Sequence, residues 1–175
     1  RIRRTARALD LKRDSGAPPV GHCKSLVTVT ADEFAARHPA FTGLARLVEQ
    51  FTGNPLLDGH RIEPLQDGDA AFPAMLAAID AARASVTLVS YIFDNDAAGE
   101  AFLDALVRAR ARGIEARVLI DDVGSRYTQP TMVRRLRDAG VPVAAFLPTR
   151  VPRLYQYANL RMHRKILVVD GQVGF

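Results

Sequence analysis

The sequence predicts an α/β fold in which a β-sheet carries helices on both faces. Beyond residue 58, short apolar stretches with strand character alternate with stretches whose apolar residues recur at helical spacing. Short segments rich in glycine, proline and aspartate separate these stretches. Strands that alternate with helices through short connections are typical of a sheet covered by helices.

Residues 1–57 are predicted to form a basic, partly helical N-terminal segment that is partly disordered. Ser15-Gly16 and Pro18-Pro19 interrupt the charged residues 1–24, which therefore lack any periodic pattern. The rest of the segment is expected to form a short strand at 25–30, a helix capped at Thr30 and limited by Pro39, and a helix at 43–51 ended by Gly53.

Residues 58–175 are predicted to form the domain itself. Its expected strands are rich in β-branched and apolar residues and cover 61–66, 85–93, 114–120, 141–146 and the segment after 162. Its expected helices cover 71–83, 97–112 and a span from 129 or 131 to 139. Gly113 and Gly140 follow two of these helices, where glycine favours a C-cap.

Composition limits the possible partners. The chain has 175 residues, 48% of them hydrophobic, which is enough for one domain with a buried core. Its net charge of +5 favours anionic partners such as phospholipid head groups or nucleic acid. Cys23 is the only cysteine, and neither CxxC nor HExxH occurs, so we expect no zinc site.

No apolar run is long enough to cross a bilayer.

The segment 162–175 carries the strongest pattern in the chain. His163, Lys165 and Asp170 are spaced as His-x-Lys-x4-Asp, on a stretch predicted to be a strand. Side chains alternate along a strand, so His163 and Lys165 are expected on one face and Arg164 on the other. Asp170-Gly171 predicts a hairpin turn. A nucleophilic imidazole beside a fixed ammonium group is suited to phosphoryl chemistry.

This segment, NLRMHRKILVVDGQVGF, resembles the HKD motif of the phospholipase D superfamily, and above all that of bacterial cardiolipin synthases. The resemblance extends over residues 42–175. It implies a phospholipase D-like mixed sheet that forms one half of a two-repeat enzyme. Because the family carries two HKD motifs and this chain carries one, we expect a fragment truncated after the first motif.

The resemblance also implies roles for individual residues. His163 is expected to attack phosphorus and form a phosphohistidine, with Lys165 offsetting the phosphate charge and no metal or other cofactor. Asp170 is expected to support the turn rather than to react. Arg161 is our candidate for phosphate contact, and the carboxylate that orients His163 is left unassigned. Asp94 and residues 121–125 follow strands, where they either border the site or serve as cap and turn residues.

The implied reaction is phosphatidyl transfer between two phosphatidylglycerol molecules with release of glycerol. The partners are then anionic phospholipid at a bacterial cell membrane, reached peripherally or through spanning segments absent from this chain. A second HKD half from a C-terminal region or a homodimer is also expected. One alternative is a homodimeric HKD phosphodiesterase or nuclease, which the Arg- and Tyr-containing stretch 148–160 permits although nucleic acid is the less favoured partner. The other is a truncated, inactive domain that binds membranes.

Overall fold

A computed structural model of the chain describes residues 28–57, 59–148 and 160–175. They divide into two compact units, one of which ends at Leu65 while the other comprises Gln66–Phe175. The structure divides between Leu65 and Gln66, and the sequence predicts that the domain begins at residue 58. The predicted disorder of residues 1–24 lies outside the described residues, as does nearly all of the stretch 148–160.

The smaller unit contains short elements whose ends follow from local side-chain chemistry. These are β1 (Thr28–Val29), α1 (Ala31–Arg37), a 3-10 turn (Pro39–Phe41), α2 (Thr42–Thr52) and β2 (Leu56–Leu57). Thr30 and Glu33 form a reciprocal capping box at the start of α1, as the sequence predicts for Thr30. Gly53 ends α2 in the left-handed conformation. Strands β1 and β2 pair antiparallel.

The larger unit is a five-stranded mixed sheet flanked by helices, which confirms the predicted fold class. Its elements are α3 (Asp67–Ala81), β3 (Ser85–Ser90), α4 (Ala97–Ala111), β4 (Glu115–Asp121), α5 (Met132–Asp138), β5 (Val143–Phe146), β6 (Ile166–Val169) and β7 (Val173–Gly174). The strand order is β5-β4-β3-β6-β7. Among the described residues, no helix has the length and apolar character needed to cross a bilayer.

The strand expected at residues 61–66 is wrong. These residues carry no regular structure, and Ile62 is 90% exposed. Their alternation of polar and apolar residues imitates a strand, but Pro64 lacks the N–H that a ladder needs. Helix α3 begins at Asp67, earlier than expected, because the Asp67 carboxylate accepts hydrogen bonds from the N–H groups of Asp69 and Ala70.

The hydrophobic core lies against one face of the sheet. Residues of α3, α4 and α5 pack there against alternate strand positions, namely Val86, Leu88, Ala116, Val118, Ile120, Leu167 and Val169. The intervening residues Thr87 and Arg117 are exposed. The alternate positions of β3 and β4 are therefore less buried, although they also include the half-buried Val89 and Leu119.

The direction of β6 decides where the HKD motif lies. Strands β3, β4 and β5 are parallel, whereas β6 pairs antiparallel with β3, with Ile166 opposite Val89. The start of β6 therefore lies at the same edge as the carboxyl ends of the parallel strands. That edge is where ligands bind in open α/β sheets, so a motif at the beginning of its strand still reaches it.

Candidate active site

His163 and Lys165 lie immediately before β6 rather than within it. The regular strand begins at Ile166, so the prediction that the motif lies on a strand holds only for its apolar residues. Both side chains belong to exposed residues. The Nζ atom of Lys165 donates a hydrogen bond to the carbonyl oxygen of His163 at 3.4 Å, which keeps the ammonium group close to the histidine backbone.

The two side chains converge on the ring of Tyr91, the residue that follows β3. The ring centroids of Tyr91 and His163 are 4.2 Å apart with an interplanar angle of 77°. The Lys165 Nζ atom lies 6.0 Å from the centroid of the same Tyr91 ring. The imidazole and the ammonium group therefore both lie near one aromatic ring, at the edge of the sheet where the parallel strands end.

Arg161 lies in a buried ion pair with Asp121, the last residue of β4. Their side chains are only 8% and 0% exposed. The Arg161 Nε atom donates to both carboxylate oxygens of Asp121, at 2.9 and 3.1 Å. Its Nη2 atom donates to the carbonyl oxygens of Phe146 and Leu147, each at 3.2 Å. The residue singled out for phosphate contact thus directs these donors into the protein.

The Asp121 carboxylate gathers further donors from the backbone. It accepts hydrogen bonds from the N–H groups of Met162 at 3.0 Å and Val123 at 3.0 Å. Burial by itself raises the pKa of Asp121, but the hydrogen bonds from Arg161 and from these N–H groups outweigh it and hold the pKa below its ordinary value. One buried carboxylate therefore ties the end of β4 to the two residues that precede His163.

Asp170 connects the other end of β6 to a neighbouring part of the chain through its carboxylate. Its carboxylate accepts hydrogen bonds from the N–H groups of Arg83, Ala84 and Ser85, at 2.9, 2.8 and 2.8 Å. Asp170 and Gly171 both have positive φ angles in the turn to β7, which confirms the predicted hairpin. Asp170 therefore fixes the end of β6 to the beginning of β3.

An Asp170→Asn substitution is expected to lower the free energy of unfolding by about 2 kcal/mol, because an amide oxygen cannot satisfy all three backbone donors. Asparagine tolerates the left-handed backbone as aspartate does, so the change isolates the lost carboxylate. Chemical denaturation of the purified chain measures the effect. Gln172→Ala, an exposed change in the same turn, is expected to stay within about 0.5 kcal/mol of the wild type.

The Asp170→Asn substitution should also change how the free energy of unfolding depends on pH. Burial raises the pKa of Asp170, but the hydrogen bonds from Ser85, Arg83 and Ala84 outweigh it and place the folded-state pKa below the ordinary value of 3.8. The stabilisation is therefore present above the unfolded-state pKa and is lost as the pH falls through the folded-state pKa. Asp170→Asn should show a shallower loss of stability on acidification, and an unchanged slope would contradict this account.

The other polar residues at the strand ends serve local structure. Asp94 accepts hydrogen bonds from the Asn95 N–H at 2.8 Å and from the Thr128 hydroxyl. Asp96 caps α4 by accepting from the Gly99 N–H at 2.8 Å. The sequence left open whether Asp94 borders the site or serves as a cap or turn residue. These contacts are those of a turn residue.

Tyr91 is the residue at this edge that the sequence did not single out. It falls within an apolar stretch expected to be a buried strand through residue 93, where an aromatic side chain is usually core. Strand β3 ends at Ser90, and only the pairing of β3 with β6 brings Tyr91 to the motif. Within the described ranges, no three His, Cys, Asp or Glu side chains are grouped as metal ligands.

Comparison with known proteins places the chain in a family. A family model described as "Cardiolipin synthase, PLD-like domain" matches residues 75–175. A cardiolipin synthase of Alkalihalophilus pseudofirmus is 36% identical over 132 residues, which are 75% of this chain and 26% of that protein. Cardiolipin synthase A of Pseudomonas putida strain W619 is 37% identical over 144 residues, 82% of this chain and 30% of that protein. Nuc from Salmonella typhimurium, a phospholipase D family member of solved structure, is 25% identical over 58% of each chain, with a TM-score of 0.43.

The mixed sheet with an HKD motif at its edge is a phospholipase D-like domain. Because the family model matches more than half of its residues, the chain belongs to the cardiolipin synthase, PLD-like domain family. It spans between about a quarter and a third of the length of these two synthases.

Proposed function

We propose that this chain supplies the first catalytic half of a cardiolipin synthase, with His163 as the nucleophile. The observation that carries the proposal is the exposed His163–Lys165 pair, whose side chains meet at the Tyr91 ring. The family membership and the names of the two synthases support the reaction. The fragment by itself is expected to have little or no activity, since the proposed reaction needs a second histidine.

In the first step, an imidazole nitrogen of His163 attacks the phosphorus of a phosphatidylglycerol molecule. The phosphorus–oxygen bond to the terminal glycerol breaks as the phosphorus–nitrogen bond forms. The glycerol oxygen takes a proton from a second histidine, supplied by a second HKD half or by another copy of this chain. The product is a phosphatidyl-histidine and free glycerol.

In the second step, a hydroxyl group of another phosphatidylglycerol attacks the same phosphorus. The second histidine accepts the hydroxyl proton, and the phosphorus–nitrogen bond to His163 breaks. Cardiolipin leaves and both histidines return to their starting protonation states. This sequence consumes two phosphatidylglycerol molecules and releases one glycerol, without a metal ion or other cofactor.

Lys165 is proposed to offset the charge on the phosphate oxygens, because a compact ammonium group beside the nucleophile favours the more highly charged transition state. Its exposure leaves it accessible to substrate. Arg161 is better suited to a supporting role than to direct phosphate contact, given its buried ion pair with Asp121. We propose that Asp170 and Arg161 hold the two ends of the segment that carries His163 and Lys165.

The proposed substrate places the protein at a bacterial cell membrane, where anionic lipid head groups attract a chain of net charge +5. Attachment is peripheral or through segments outside this chain. The protein expressed from the complete reading frame should convert phosphatidylglycerol in mixed micelles to cardiolipin and glycerol. Cleavage of a DNA oligonucleotide without cardiolipin formation would instead support a nuclease, and vesicle binding without turnover would support an inactive membrane-binding domain.

Lys165→Ala in that protein is expected to lower kcat by about 100-fold or more, because the transition-state charge loses its fixed cation. Arg164→Ala is the matched control, since it removes an adjacent, exposed cation of the same segment. Steady-state rates of glycerol release compare the two. Equal losses in both variants would mean that only the general positive charge of the segment matters.

A further inference from the structure

The His163 imidazole lacks an evident orienting carboxylate among the residues that the structure describes. Its contact with Tyr91 is edge-on, with an interplanar angle of 77°. Edge-to-face packing is a favoured geometry for aromatic rings, and it restricts how far the imidazole can rotate. The Lys165 ammonium lies within reach of the electron-rich face of the same ring. Tyr91 therefore contacts both groups that the proposed chemistry requires.

Tyr91 is itself fixed by the loop after β4. A Cβ atom on Gly124 would lie 1.9 Å from the Tyr91 carbonyl oxygen and 3.3 Å from its Cδ2 atom, so the two segments are packed at backbone distance. The Asp121 carboxylate, which receives Arg161, also accepts from the Gly124 N–H at 3.4 Å. The loop that clamps Tyr91 is thus the loop that anchors the approach to His163.

The Tyr91 hydroxyl group is influenced by residues of the same loop and by the buried ion pair. Burial chiefly raises the pKa of the Tyr91 hydroxyl, and the neighbouring Tyr127 and Asp121 raise it further, against a smaller opposite effect of Arg161. The hydroxyl therefore remains protonated at neutral pH, and the ring stays a neutral platform beneath the ammonium group.

We propose that Tyr91 is a positioning residue that orients the His163 imidazole and holds the Lys165 ammonium beside it. The inference rests on the proposed function for its effect on rate, but the contacts it requires exist independently of activity. The aromatic ring, rather than the hydroxyl, is the part that acts. The two functional groups are then aligned before substrate binds, which lowers the entropy lost on reaching the transition state.

The first test is spectroscopic and uses the 175-residue chain. The NMR signals of the His163 ring protons should carry a ring-current shift in the wild type and in Tyr91→Phe, and should lose it in Tyr91→Leu. His38, whose ring lies 4.9 Å from that of Phe34, is an internal control whose signals should not change. Tyr91→Met is a second variant without a ring, in case the leucine variant does not fold.

The second test measures activity in the protein from the complete reading frame. Tyr91→Leu and Tyr91→Met are expected to lower kcat by about tenfold or more with little change in KM, whereas Tyr91→Phe stays within about twofold of the wild type. Ile92→Ala, a change at the neighbouring exposed residue, is the control and should leave kcat unchanged.

The outcomes separate this inference from the proposed function. If the wild-type protein forms no cardiolipin, the proposed function is wrong, whatever the NMR spectra show. An active wild type whose Tyr91→Leu variant keeps both its kcat and the His163 ring-current shift overturns the positioning role. A Tyr91→Phe variant as impaired as Tyr91→Leu also overturns it, because the hydroxyl would then be the essential group.

Discussion

Replacement of His163 by alanine is expected to lower kcat for cardiolipin formation by at least about 1,000-fold, because the variant lacks the proposed nucleophile. No phosphohistidine can then form, and Lys165 cannot replace the imidazole. The measurement is glycerol release from phosphatidylglycerol by the protein from the complete reading frame. Enzyme denatured with detergent at neutral pH should also retain radiolabelled phosphatidyl groups in the wild type and not in the variant.

The same substitution should leave the fold intact. His163 is exposed, so its removal is expected to change the free energy of unfolding by no more than about 0.5 kcal/mol. His60→Ala is the matched control for activity, since His60 is exposed and belongs to the smaller unit. If the His163→Ala protein kept most of its activity, His163 would not be the nucleophile, although the enzyme would still make cardiolipin.

The second large effect concerns stability. Asp121→Asn is expected to lower the free energy of unfolding by about 3–5 kcal/mol, because it leaves the buried Arg161 guanidinium without its counter-charge. The substitution nearly preserves side-chain volume, so the loss comes from charge and hydrogen bonding rather than from a cavity. Denaturant titration of the 175-residue chain, followed by circular dichroism, measures it.

An exposed ion pair provides the comparison. Asp138 lies 3.6 Å from Arg134, with side chains 68% and 73% exposed, and Asp138→Asn should cost less than about 1 kcal/mol. Adding Arg161→Met to Asp121→Asn should recover part of the lost stability, since the unpaired buried charge is then gone. Equal losses for Asp121→Asn and Asp138→Asn would contradict the role of the buried pair.

Local patterns along the chain account for much of the larger unit. Helix α4 spans Ala97–Ala111 where the sequence predicts 97–112, and Gly113 follows it with a positive φ angle. The hairpin at Asp170-Gly171 is also confirmed. These features depend on side-chain spacing and backbone preferences within a few residues, so they can be derived without knowing the partners.

Other features depend on residues far along the chain. The alternation at residues 61–66 predicts a strand, but a strand also needs a neighbour, and no pairing with these residues occurs among the described strands. The buried ion pair of Arg161 could not be predicted from the residues around it. Its partner, Asp121, lies 40 residues earlier and is fully buried.

The sequence alone determined the fold class and the spacing of His163, Lys165 and Asp170, because both are properties of the order of residues. Tertiary structure decided which edge of the sheet the motif occupies and which groups surround it. β6 pairs antiparallel with β3, and that register brings Tyr91 against the imidazole and the Asp170 carboxylate to the N–H groups of 83–85. Such pairings depend on the packing of strands some eighty residues apart, a distance over which no local pattern carries information.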